Sequence, residues 1–529
     1  MSSSLGSPIF GFNDSKSEIV KEVTDRVARS AADPVFLLNE AAYLEMRRLA
    51  GKDGAEYAEW RALAGSLGRC SRDEACDKLR QLCERYAWDV AGNFDPRVYK
   101  FATKAMVPIL GALLSPRAAL RNIPQLGALH ALDGRVVVQG PTEAIAALAK
   151  RGTLIFTPTH LSNLDSVVFG FALERAGLPP ATYGAGKNLF TNPVLSFFMH
   201  NLGAYRVDRR LKHALYKDVL KTYSTVLLER GYHSLFFPGG TRSRSGGVER
   251  KLKLGLAGTG VEAFGRTAEA GDPQPVYFVP ATINYMLTLE AETLIDDFLQ
   301  EEGKARYIIE DDESTRVSRV ASFAQKLLGL DESVVIRFGE PLDCFGNRVD
   351  AEGQSYDSHG RRVDALTYLF DAEGRPKRDP KRDAQYTREL GEAIVTRFAR
   401  DTVVMATHVV AAAAFDHLRS VVGKGDLFAI LNHRDTVRIS RPELVAKIEK
   451  LVDRARVLER DAKIVLAPQL AGRPDQILEA ALRAFAGYHT QHIIGVGATD
   501  LVLEDTRLLF YYQNRLAAHG LAFDVLKPK

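Results

Sequence analysis

The sequence predicts an α/β fold, a mixed and mostly parallel sheet flanked by helices, with a helical region before and after it. Three observations predict it. Between Arg135 and Phe338, short β-branched and apolar runs alternate with helical patterns, the order that builds largely parallel sheets. Upstream, from Ser17 to Leu120, apolar residues recur at three- and four-residue spacing with no β-rich interruption. Downstream, the pattern is helical again from Tyr386 onward. With 529 residues the chain has room for two or three cores. It divides into a helical N-terminal domain (1–125), an α/β domain (126–345), a polar insertion or linker (346–385) and a helical C-terminal region (386–529).

Taken in order, the N-terminal helices read as a scaffold packed beside the α/β domain. Strands are expected at Arg135–Gln139, Thr153–Thr157, Ala181–Ala185, Gly203–Val207, His233–Phe237, Val276–Asn284 and Ser333–Phe338. Helices are expected at Pro141–Lys150, Ser166–Ala176, Lys212–Arg230 and Leu252–Ala270. Pro280 falls inside the sixth strand, where it cannot donate to a ladder, and so marks an edge or a kink. Residues 344–384 are rich in Asp, Gly and Arg, contain DAEG twice and have little apolar periodicity. An exposed insertion is expected there, either a hairpin or a flexible linker.

Composition excludes some classes of function. A content of 46% hydrophobic and 26% charged residues is that of an ordinary globular protein. The net charge of +4 supplies no global field for nucleic acid. Cys70, Cys76, Cys83 and Cys344 form no CxxC pair and no zinc spacing, and no HExxH or comparable metal cluster occurs. Reduced thiols in a cytosolic compartment are expected. The start, MSSSLGSPIFGFNDSK, lacks a basic segment followed by an apolar core, so no secretory leader is expected. The longest apolar runs, Ala105–Leu114 and Thr402–Phe415, fall short of the roughly 18–20 residues that span a bilayer. The chain is expected not to cross a membrane, while lying on one stays open.

The stretch that bears chemistry is Thr153–Asp165, TLIFTPTHLSNLD. A strand breaks at Pro158 into a turn that holds His160 and Asp165 just before a helical pattern. A carboxylate at this spacing can hold one ring nitrogen and leave the other free to accept a proton. A loop histidine beside a first-turn aspartate favoured by the helix dipole explains the same spacing. Two later segments place cations at strand ends: Arg209 and Arg210 after AYRV, and Arg242 and Arg244 in FFPGGTRSRSGG. Arginine's planar fork suits a phosphate, and backbone N–H groups around Gly239 and Gly240 suit an anion. A solvated basic loop is the plainer alternative. No Walker pattern and no GxSxG motif occurs, so neither nucleotide hydrolysis nor a serine hydrolase is supported.

Four segments in this order resemble the glycerolipid acyltransferase family. His160 and Asp165 match its His-four-residues-Asp motif; GAGKNLFTNPVLSFFMHNLGAYRVDRR is similar to the second block, FFPGGTRSRSG to the third and VPATINY to the fourth. One His/Asp pair is a weak signal, but four ordered blocks over about 125 residues are a specific one. Within the family the chain looks most like the glycerol-3-phosphate and dihydroxyacetone-phosphate acyltransferases, over roughly Gly134–Leu342. Two departures stand out. Gly239 occupies the place of a glutamate usual in the third block, and Leu161 replaces a more usual basic or polar residue.

The resemblance implies the glycerolipid acyltransferase fold and a transfer of a fatty acyl group from acyl-CoA or acyl-carrier protein to the sn-1 hydroxyl of glycerol 3-phosphate. His160 would be the general base, oriented by Asp165, and Arg209, Arg210, Arg242 and Arg244 would hold the acceptor phosphate. Ser162, Lys187, Gly239, Gly240, Thr241, Ser243 and Pro280 complete the substrate-site candidates, Pro280 as a wall for a fatty chain. Backbone N–H groups in the turn after His160 are the candidate oxyanion donors. No metal and no resident cofactor is implied. The other acceptors in view are 1-acylglycerol 3-phosphate and dihydroxyacetone phosphate, and a non-catalytic lipid-binding protein is a more distant alternative. A peripheral place on the cytoplasmic face of the cell membrane follows from the lipid product, with Val194–Leu202 and Ala105–Leu114 as candidate contacts.

Overall fold

The computed structural model describes residues 7–51, 54–102, 136–187, 193–302, 333–423, 426–433, 435–486, 488–497 and 499–524. The run Ala105–Leu114 lies outside the described residues.

Helices α1 (Phe12–Ser30), α2 (Pro34–Arg48), α3 (Ala55–Leu67) and α4 (Arg72–Val90) form the N-terminal region. Their starts are written locally. Asp33 accepts the Phe36 N–H with Pro34 in the first turn, and Ser71 and Glu74 close a reciprocal capping box. Such caps contribute about 1 kcal/mol each.

The α/β region follows as β1 (Val136–Gln139), α5 (Thr142–Leu148), β2 (Thr153–Pro158), α6 (Asp165–Arg175), β3 (Thr182–Gly186), α7 (Pro193–Asn201), β4 (Ala204–Val207), α8 (Ala214–Glu229), β5 (Ser234–Leu235), α9 (Ala257–Glu269), β6 (Val276–Tyr285), α10 (Ala291–Glu302) and β7 (Val334–Phe338). The N-terminal helices share a core with it. Ile19, Val23, Leu79 and Tyr86 pack with Tyr216, Val219 and Tyr223 of α8, so this region is a wall of the α/β unit rather than a separate globule.

The parallel part of the sheet runs β4-β3-β5-β2-β6. Beyond β6 the sheet forks. The second half of β6 pairs antiparallel with β7, which carries β1 in parallel, while its first half pairs with β8 (Leu342–Asp343). Pro280 sits at the fork: β8 opposes Tyr277 and Phe278, and β7 opposes Ala281 to Tyr285. Its missing N–H therefore falls where the ladder changes partner, and its carbonyl accepts the Gly339 N–H at 2.7 Å. Of the two options for this proline, an edge is overturned, because β6 is buried along all ten residues.

Residues 342–363 continue the sheet as short antiparallel strands, β8 followed by β9 (Arg348–Val349), β10 (Ser355–Tyr356) and β11 (Arg362–Val363). Asp343, Asp350, Asp357 and Asp371 each accept two backbone N–H groups through Oδ1, from the second and fourth residues onward. Each turn has a glycine three residues after the aspartate, at φ between 73° and 90°, a region that favours glycine. The polar stretch is thus an ordered meander.

The C-terminal region contains α11 (Pro380–Arg400), α12 (Ala406–Val422), α13 (Arg441–Arg460), α14 (Pro474–Phe485) and α15 (Thr506–Ala517). It adds a small antiparallel sheet of Val437–Ser440, Asp500–Leu503 and Ile494–Val496, which helical periodicity alone did not suggest. Alternate residues of Val437–Ser440 are buried, so its two-residue period was legible but too short to stand out. The small-residue helix α12 is buried almost throughout because α15, α14 and α13 surround it. Helix α15 also touches the main sheet, where Arg515 donates to Ile283 O of β6 at 3.1 Å. No helix among the described residues is long and apolar enough to cross a membrane.

Candidate active site

The loops that follow β2, β3, β4 and β5 leave from carboxyl ends of parallel strands, where open α/β sheets gather their ligands. The strand β2 ends at Pro158 and the chain turns through His160 before α6 begins at Asp165. Imidazole Nδ1 of His160 lies 2.8 Å from Asp165 Oδ2. The same oxygen accepts the N–H groups of Leu161 at 2.6 Å and Ser162 at 2.9 Å. Oδ1 accepts the Tyr285 hydroxyl at 2.7 Å. Asp165 is buried and ringed by donors, so Nδ1 carries the hydrogen of its bond and Nε2 is left as the acceptor.

Other contacts hold the histidine in place. Its ring stacks on Phe237 with centroids 4.1 Å apart. Its carbonyl accepts the Ser243 N–H at 2.7 Å, and its own N–H donates to Glu249 Oε1 at 2.8 Å. The loop after β5 therefore clasps the His160 backbone from both sides.

The four arginines are placed differently. Arg242 pairs with the buried Glu290 at 3.3 Å, and Glu290 also accepts the Asn163 N–H at 3.0 Å. Arg209 lies near enough to Arg242 for that charge to lower its pKa, burial of the guanidinium being the larger cause. Arg242 is thus tied through Glu290 to the His160 turn, and Arg209 lies within range of its charge. Arg210 instead folds back on Asp208, with hydrogen bonds of 2.9 and 2.6 Å, and that bond chiefly lowers the Asp208 pKa. Arg244 pairs with Glu301 of α10.

Lys187 lies 3.2 Å from Asp89 of α4 and 3.7 Å from Asp208. Ser162 is buried, its hydroxyl accepting the Leu164 N–H at 3.2 Å. Gly239, Gly240 and the exposed Thr241 form the tip of the loop after β5, with the Gly240 N–H closing the turn onto Phe237 O at 3.0 Å. Ser243 donates to Gly247 O at 2.7 Å. Pro280 lies on β6 opposite Thr157 of β2, below the His160 turn.

One expectation changes. The N–H groups of Leu161, Ser162, Asn163 and Leu164 are committed to Asp165, Glu290 and Ser162, so the turn after His160 has none to offer an oxyanion. Residues that sequence reasoning missed are Tyr285, Glu290, Glu249 and Arg515. Tyr285 closes the fourth block, and no spacing in the chain links it to Asp165.

Comparison with known proteins agrees with the four blocks. The family model described as Acyltransferase matches residues 135–284. A glycerol-3-phosphate acyltransferase of Pseudomonas fluorescens (strain Pf0-1) is 28% identical over 201 residues, 38% of this chain and 22% of that protein. One from Pseudomonas aeruginosa (strain LESB58) is 28% identical over 215 residues, 40% of this chain and 24% of that protein. The chain spans about a quarter or less of the length of these relatives. The solved structure of a 1-acyl-sn-glycerophosphate (LPA) acyltransferase from Thermotoga maritima aligns with a TM-score of 0.27 and 16% identity, covering 56% of this chain and 92% of that one. The resemblance to the glycerol-3-phosphate acyltransferase family drawn from the sequence is supported by these relatives, and residues 135–284 are the stretch that matches the Acyltransferase model.

Proposed function

We propose that this acyltransferase domain moves a fatty acyl group from a thioester, acyl-CoA or acyl-carrier protein, to the sn-1 hydroxyl of glycerol 3-phosphate, giving lysophosphatidic acid. The observation that supports it most is the His160–Asp165 bond of 2.8 Å at the end of β2, with Arg209 and Arg242 in the loops beside it.

His160 Nε2 takes the proton of the acceptor hydroxyl as its oxygen bonds to the thioester carbonyl carbon. Asp165 orients the ring and stabilises the imidazolium. The C–S bond then breaks and the imidazolium returns the proton to the departing thiolate. The acceptor is its own nucleophile, so no acyl-enzyme forms and no step runs through a metal or resident cofactor. Arg209 and Arg242 clamp the acceptor phosphate, while Arg210 and Arg244 bound the site from their ion pairs with Asp208 and Glu301. The lipid product places the reaction at a bilayer surface, with the protein peripheral on the cytoplasmic face.

The test is purified protein with acyl-CoA and radiolabelled glycerol 3-phosphate, its products separated by chromatography. Dihydroxyacetone phosphate and 1-acylglycerol 3-phosphate are run alongside as acceptors. The wild type should form labelled lysophosphatidic acid, and His160→Ala should lose about 10²–10⁴-fold in turnover. Arg242→Ala should raise the acceptor KM and leave the donor KM nearly unchanged. Normal turnover by a folded His160→Ala variant would sink the mechanism.

A further inference from the structure

Position 239 is glycine, and the space above it is already taken. A Cβ built there would stand 3.2 Å from Cγ of Glu249 and 3.5 Å from its Oε1. A glutamate's own carboxylate oxygens lie about 3–4 Å from its Cβ in staggered rotamers. Glu249 Oε1 therefore stands at a distance that the carboxylate of a glutamate at 239 could reach. That same oxygen accepts the His160 N–H at 2.8 Å.

The carboxyl group is not idle surface charge. Glu249 Oε2 is buried and makes no hydrogen bond among the described residues. Within electrostatic range lies Arg515 of α15, a buried residue whose Nη2 donates to Ile283 O and Asn284 Oδ1, each at 3.1 Å. Arg515 Nε and Nη1 are buried without hydrogen-bond partners as well. Burial raises the Glu249 pKa, and the Arg515 charge opposes the rise.

We propose that Glu249 is the positioning carboxylate of the His160 turn, delivered from position 249 in place of a side chain at 239. This rests on the acyl-transfer reading above. Glu249 acts through the His160 backbone, and a side chain at 239 would crowd the Glu249 Cγ at 3.2 Å, which glycine avoids. The proposal predicts that the carboxylate can be moved back: a glutamate at 239 should replace one at 249.

Steady-state kinetics with glycerol 3-phosphate and acyl-CoA test it on the full chain, with wild type, Glu249→Ala, Glu249→Gln and the double variant Gly239→Glu/Glu249→Ala. Glu249→Ala should lower kcat by about 10–100-fold, the scale of a small misplacement of a catalytic group, with both KM values nearly unchanged. Glu249→Gln keeps an acceptor oxygen and should retain most activity. The double variant should recover kcat to within about ten-fold of wild type. Wild-type kcat in Glu249→Ala, or a folded double variant that recovers nothing, would overturn the assignment. Should Glu249→Ala fail to fold, the double variant decides: folded and active supports it, any other result overturns it. A wild type that forms no labelled lipid defeats the functional reading itself, before any variant is compared.

Discussion

The Tyr285 hydroxyl gives Asp165 Oδ1 its one donor among the described residues, at 2.7 Å, while Oδ2 has three. Burial first, and then the Asp165 charge, raise the tyrosine pKa well above its ordinary value, so the O–H remains a donor. Tyr285→Phe leaves a buried carboxylate oxygen unbonded, a cost of about 1–3 kcal/mol. If the bond steadies Asp165 under a forming imidazolium, kcat should fall about ten-fold, with a lowered Tm. Unchanged kcat and Tm in Tyr285→Phe would show that the hydroxyl is a bystander. The His160–Asp165 pair was legible in the sequence because one turn separates its members. Tyr285, Glu290 and Glu249 reach the same turn from 120, 127 and 89 residues away. No local pattern encodes a contact of that span, because tertiary packing sets it. The arginines were legible as a class, but their partners were not: Arg210 pairs with Asp208, Arg242 with Glu290 and Arg244 with Glu301.

Helix α7 carries the clearest surface feature at the scale of single elements. Phe197 is 53% exposed, with Phe198 at 5.3 Å, and Phe101, 56% exposed, stacks on Phe198 at 6.5 Å. Trp88 of α4 is 45% exposed with Lys16 5.7 Å from its ring, and Lys187 and Arg206 both reach Asp89 beside it. Exposed aromatics next to cations are the composition of an interfacial contact. Co-sedimentation with vesicles containing phosphatidylglycerol should be lost in Phe197→Ser/Phe198→Ser, while acyl transfer in detergent micelles persists. Sedimentation equal to wild type would assign the cluster to packing alone. Elements of the main sheet were legible because each strand is a short apolar run between turn residues. The polar stretch from Cys344 was not. Its signal is a seven-residue spacing of Asp343, Asp350, Asp357, Asp364 and Asp371, with glycine three residues after all but Asp364. That period carries turns rather than apolar residues, so a search for hydrophobic faces passes over it.

Three histidines tie the whole molecule to pH, one in each of its packed regions. His213 Nδ1 caps α8 by accepting the Tyr216 N–H at 3.2 Å, against the N-terminal helices, with Tyr86 on its other nitrogen at 3.1 Å. His233 Nδ1 accepts the Leu154 N–H at 3.0 Å inside the main sheet. His408 Nδ1 accepts the Met405 N–H at 3.1 Å at the start of α12 in the C-terminal core. Each ring is buried and bonded as an acceptor, so protonation would set a donor against a donor. Burial accordingly lowers the pKa values of His213 and His233 to about 4 and that of His408 to about 3. In the unfolded chain these rings titrate near about 6.5. Between roughly pH 6.5 and 4 the unfolded state therefore binds protons that the folded state refuses, and stability falls as pH falls through that window. Each group steepens the slope by up to about 1.4 kcal/mol per pH unit. Denaturant melts at a series of pH values should show the loss. His213→Asn supplies an equivalent cap that does not titrate, and should flatten the slope by about one proton. Equal slopes for wild type and His213→Asn would mean that His213 is already protonated in the fold, contrary to its bond with Tyr216.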